Sequence, residues 1–141
     1  MKFMLAVDDK IKPWLMSKLE TYKFRSDVVV TTDMNELNDI MASAYATICS
    51  KGTTPSIHLS AMQNETPLIV HTDAYLRSSY GEAVVFAETD EKDISKNMIL
   101  LYKNEQMRSE QIEKGRLLAR ERSWQLIAET IWERVIFPET A

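Results

Sequence analysis

Five short apolar runs, each followed by a longer stretch with helical spacing, constrain this chain more than any other feature. Residues 3–7, 28–31, 46–49, 68–70 and 84–87 are apolar runs that break off at polar or turn-forming residues, as buried strands do. Between them the period changes. Ile11, Leu15, Leu19 and Tyr22 mark one helix face, with Pro13 tolerated in the first turn. Leu37, Ile40, Met41 and Ala44 mark another, opened by Asp33 with Glu36 three residues on, a capping-box spacing. Thr54 and Pro55 are suited to the N-cap and first position of a third helix. Residues 73–83 read as a link, and further helices are expected over about 93–103, 106–120 and 123–137.

Strands that alternate with helices of this length must be joined by crossovers, which gives a mainly parallel sheet. The runs are apolar at both odd and even positions, as in strands covered on both faces. The expected fold is therefore α/β, three layers around about five strands, ending in C-terminal helices. No internal repeat and no linker rich in Gly, Ser or Pro divides the sequence, so residues 1–141 read as one domain.

Bulk chemistry narrows the function. The 17 basic residues are outnumbered by 21 acidic ones and form no basic run, which argues against a nucleic-acid or anionic-membrane binder. Residues 114–122 are basic, but acids and apolar residues interleave them as on a solvated helix face. A single cysteine, Cys49, excludes an internal disulfide, fits a reducing compartment and reads as a small core residue. No apolar run approaches the roughly 18 residues of a membrane span, and no secretory signal opens the chain. A cytoplasmic protein is expected.

In open α/β sheets ligands bind beyond the carboxyl ends of the strands. The residues placed there are Asp8 and Asp9, Thr32 and Asp33, Ser50 to Gly52, and His71 to Asp73. Asp33 reads as a helix cap, and the Asp8–Asp9 pair as a strand stop that favours the next helix start. His71 can be a phosphate or sugar contact or a purely structural strand-end residue. His58 falls inside a helical turn and reads as a surface residue. The strongest candidate is the loop of Lys51, Gly52, Thr53 and Thr54. Its glycine allows a tight turn, and the N–H groups of a helix start, with two hydroxyls and a lysine beside them, can hold an anion. It is far from a Walker loop, which needs more glycines and a Gly-Lys-Ser/Thr ending.

Half of the sequence also carries an ordered set of motifs. Thr66-Pro67 opens a strand, Leu76-Arg77 and Gly81-Glu82-Ala83 lead into the next, Arg108 to Gly115 follows, and Ser123-Trp124 begins the last helix. This order and spacing resemble the C-terminal, donor-binding domain of the retaining glycosyltransferases with two Rossmann-like halves, the group-1 or family-4 class. The resemblance implies a Rossmann-like domain that binds a nucleotide-sugar and, with no cofactor and no metal, transfers its sugar with retention. It places the donor site on the loop of Lys51, Gly52, Thr53 and Thr54, on Ser60 and on Thr32. Aligned through Ala61-Met62 and Thr66-Pro67, the two glutamates of the family motif fall on Gly52 and Ser60, so both carboxylates are absent. The second motif glycine, whose N–H approaches the diphosphate, falls on Pro55, which has none.

The resemblance starts at the family's second donor-half strand, so an earlier strand and the acceptor half have no counterpart here, and no transfer is expected from this chain alone. The alternative expectation is a degenerate, non-catalytic domain kept for protein interaction. Trp124, Ile127, Ala128, Ile131, Trp132 and Val135 form an apolar stripe on the last helix. Trp124 is expected to cover the sheet and residues 132–137 to lack cover, giving a homodimer through this helix. A signalling receiver domain is excluded: Asp8 and Asp9 suit its first strand end, but Ser50 stands where its phospho-acceptor aspartate is required. Two separated histidines and the lack of a Gly-x-Ser-x-Gly elbow exclude metal-site and nucleophile-triad readings.

Overall fold

The structure, a computed structural model, describes residues 2–136; the last residue expected in the C-terminal helix, Phe137, lies outside the described residues. It comprises two compact units, Met1–Ser43 and Ala44–Ala141.

In the first unit, β1 (Phe3–Ala6) and β2 (Val28–Thr31) pair in parallel, Phe3 opposite Val28 and Ala6 opposite Thr31. A carboxylate oxygen of Asp8 accepts the Lys10 N–H at 2.8 Å and turns the chain out of β1. Helix α1 (Lys12–Glu20) follows, with Pro13 in its first turn, where the missing N–H is harmless. Asp33 caps as expected, accepting the Asn35 N–H at 2.9 Å. Residues Met34–Glu36 wind a 3-10 turn before α2 (Leu37–Ser43). Among the described residues of this unit only Met41 is buried, and Phe3, Met4 and Val29 are exposed.

The second unit carries a parallel sheet in the order β3 (Thr47–Cys49), β4 (Leu68–His71), β5 (Val85–Ala87). Central β4 is the most buried: Leu68, Ile69 and Val70 are 0%, 1% and 1% exposed, which is why this run is apolar at every position. Helix α3 (Pro55–Gln63) crosses from β3 to β4, and α4 (Ala74–Tyr80) from β4 to β5. Helices α5 (Glu91–Lys103), α6 (Glu105–Glu121) and α7 (Trp124–Ile136) end the described chain. Asp90 caps α5 through the N–H groups of Lys92 and Asp93, and Asn104 caps α6 through that of Met107. Leu101 closes the core over Ile69, Val85 and Ala87.

The α/β class, the parallel pairing and the terminal helices are as expected, but the single sheet of about five strands is not. Two sheets of two and three strands form instead, and no ladder joins them among the described residues. Apolar runs identify which residues extend; they do not determine which strand edges meet. The link expected over residues 73–83 is largely helical. An Asp73 carboxylate oxygen accepts the N–H groups of Tyr75 and Leu76 at 2.8 and 3.1 Å, Leu76 and Tyr80 are buried four residues apart, and Gly81 ends α4 at φ 51°.

Two further expectations are corrected. His58 is not a surface residue: it is 1% exposed, because it shares the inner face of α3 with Ala61 and Met62 at i, i+3, i+4. Trp124 does not cover the sheet. It is 85% exposed, and Ile131, Trp132 and Val135 are exposed beyond it along α7.

Candidate functional site

The loop between β3 and α3 takes the tight turn that its glycine permits. Gly52 has φ 89°, a conformation that a side chain disfavours, and the turn closes through the Thr53 N–H on the Ser50 carbonyl at 3.2 Å. The Thr53 hydroxyl donates to the same carbonyl at 2.9 Å. Thr54 stands at the N-cap of α3 in an extended conformation, yet its hydroxyl lies 2.8 Å from that of Ser56 and caps no backbone N–H. Pro55 occupies the first turn. Lys51 is exposed beside the turn, and Ser60 is half-buried further along α3. Lys51, Gly52, Thr53, Thr54 and Ser60 thus belong to one loop and the helix it opens. Thr32 follows β2 in the first unit.

This arrangement offers a flexible cation, hydroxyls and a helix start, enough to attract an anion. Residues 51–60 include no carboxylate. Beyond the ends of β4 and β5, Asp73 caps α4 and Asp93, in the first turn of α5, accepts the Glu88 N–H at 2.8 Å. Among the described residues no group of three or more His, Cys, Asp or Glu side chains is placed to hold a metal ion.

The motif residues converge on packing. Ala61 and Met62 are buried at 0% and 2% exposure. A Cβ on Gly115 would lie 3.3 Å from the Met62 side chain, so glycine is what lets α6 approach α3 here. Glu82 pairs with Lys114 at 2.8 Å, and its carbonyl accepts from Gln111, tying the Gly81-Glu82-Ala83 turn to α6. The Lys114 ammonium holds the Glu82 carboxyl below the usual carboxylate range. A shallow cleft of about 450 Å³ lies along these residues, lined by Arg77, Phe86, Gln111 and Lys114 and apart from the 51–54 loop. In it the Arg77 guanidinium lies 4.6 Å from the Phe86 ring centroid.

Beneath the strand ends lies a group that sequence reasoning missed. His58 Nδ1 is 3.1 Å from the Tyr80 hydroxyl, and the rings meet edge to face at 5.5 Å. His58 Nε2 and His71 Nδ1 are buried without a protein partner. Burial, and then the nearby His71, hold the His58 imidazole below its ordinary value. Cys49 is buried as expected, and burial pushes its thiol up to about 11, so it is no nucleophile. The i, i+3, i+4 spacing of His58, Ala61 and Met62 was the available signal.

Compared with known protein families and with curated proteins, the chain matches neither a family nor a protein.

Proposed function

We propose that this chain is the donor-side domain of a retaining glycosyltransferase of the class with two Rossmann-like halves, its ligand a nucleotide-sugar and its site eroded. The observation that carries this reading is the meeting of Met62 with Gly115, more than fifty residues away. Pieces of the resemblance that are separate in sequence form one α3–α6 contact. Diphosphate binding falls to the 51–54 loop and the start of α3. No metal or other cofactor is needed. Residues 1–141 alone transfer no sugar, because transfer needs an acceptor held against the donor, and no acceptor half aligns with these residues.

The two lost carboxylates are not equally restorable. Gly52 sits at φ 89°, so a glutamate there strains the turn, whereas Ser60 is a half-buried helical position that accepts one. Ser60→Glu is expected to tighten binding of a nucleoside diphosphate about tenfold in calorimetry, the effect of one charge-assisted hydrogen bond. Tight binding by the parent chain, or no gain in the variant, rejects the donor-site assignment.

A second reading, a non-catalytic domain kept for protein interaction, is favoured by one observation: the apolar stripe of α7 is exposed from Trp124 to Val135. Self-association through this helix follows, since each aliphatic side chain buried contributes roughly 1.5–3 kcal/mol. Sedimentation is expected to show a dimer that Trp132→Glu dissociates; a monomer at high concentration in both would eliminate this mode.

A further inference from the structure

The connection between α6 and α7 is tied back to the body of its unit through one side chain. Arg122, at the C-cap of α6, donates from Nη2 to the Ser79 carbonyl, and its guanidinium lies 5.4 Å from the Tyr80 ring centroid. Tyr80 ends α4, is 4% exposed, and its hydroxyl reaches His58 Nδ1 on α3. Three helices are therefore linked in series: α3 through His58, α4 through Tyr80 and Ser79, and the α6–α7 junction through Arg122.

His58 suits this arrangement only when neutral. A neutral imidazole carries one proton. Either the Tyr80 hydroxyl donates to Nδ1 and Nε2 bears the N–H, or Nδ1–H donates to the phenolic oxygen and Nε2 is bare. A second proton makes both nitrogens donors. Tyr80 must then accept, and the charge is left at a buried Nε2 with no acceptor. The groups that face this pair are His71 from β4, Cys49 from β3, Tyr75 from α4 and Arg122 from the end of α6. None is a carboxylate, so nothing among them compensates the added charge, and His71 and Arg122 bring only positive charge of their own.

We propose that His58, Tyr80 and Arg122 form a proton-operated latch: neutral His58 holds Tyr80 in place for Arg122, and protonation of His58 releases the α6–α7 junction. The direction follows from linkage. The closed state disfavours the second proton, whereas the opened state takes it up at the ordinary imidazole value of 6.5. The latch is fully closed above that pH and loses stability as pH falls below it.

Hydrogen exchange on the full chain, corrected for intrinsic rates, tests this between pH 7.5 and 5.5. Amides at the end of α4 and at residues 119–126 are expected to exchange about tenfold faster at the lower pH. Those of β4 should change less. The non-titrating variant His58→Gln should lose this pH response. An unchanged junction in the parent chain, or the same response in His58→Gln, overturns the proposal. Should the variant fail to fold, the imidazole titration of the parent chain decides by NMR. Movement of the Arg122 and Tyr80 signals with that of His58 supports the latch, and His58 titrating at 6.5 while both stay still overturns it.

Discussion

The two units are built from the same alternation of strand and helix and reach different outcomes. In Met1–Ser43 the strands are four residues long, pair in parallel, and leave every described side chain but Met41 at least partly exposed. In Ala44–Ala141 strands of three or four residues are covered well enough that Leu68, Ile69 and Val70 are essentially inaccessible. Strand length does not separate them. Covering both faces of a sheet takes helices on both sides, and a chain of about forty residues has too little apolar surface to supply them. Among the described residues the larger unit has five α-helices, and Gly115 lets α6 approach α3 closely.

That contrast is most exposed to refutation by hydrogen exchange. Amides of β4 are expected to open only with global unfolding, at about 5 kcal/mol or more, while those of β1 and β2 open at a few kcal/mol less. Equal protection of the two sheets would abolish the comparison. Next in size is a pair of truncations. Met62→Ala removes a buried side chain from the α3–α6 contact and should cost about 2–5 kcal/mol. Leu5→Ala, at a half-buried position in β1, should cost less than half of that. Denaturant titration of both variants measures the ratio, and equal losses would mean that β1 is better covered than its exposure indicates. The smallest effect concerns the caps. Asp73→Ala removes an acceptor from the N–H groups of Tyr75 and Leu76 and should cost about 1 kcal/mol. Asp33→Ala serves a 3-10 turn in the less buried unit, and a thermal shift larger than that of Asp73→Ala would reverse the ranking.

Much of this architecture is legible in the residues, for reasons that also mark the boundary of legibility. Apolar runs identify each strand to within about a residue, and Pro55 and Asp33 locate helix starts because proline's fixed φ and the carboxylate cap are local effects. The division into two sheets is not local. It depends on which edges meet, and no residue in β1 or β3 encodes that alone. Helix α4 was readable in principle from Asp73, from Leu76 and Tyr80 four apart, and from Gly81, but eleven residues between two strands also suit a connection. His58 was obscured because its polarity suggested surface while its register with Ala61 and Met62 placed it inside. At the candidate site the sequence supplies the turn and the helix start. Thr54 shows the remaining gap, since its hydroxyl turns to Ser56 and not to the backbone it was expected to cap.

Cys49 turns the second unit into its own clock. It is the chain's one thiol, it lies in β3, and burial pushes it up to about 11, four units above neutral pH. Little of the reactive thiolate exists in the folded state at pH 7, and the buried sulfur is screened from reagents as well. An alkylating label should therefore enter almost wholly through molecules in which β3 has opened. Under conditions where labelling outpaces reclosing, the accumulated mass shift reads the opening rate of the core directly, in an unmodified chain and without denaturant.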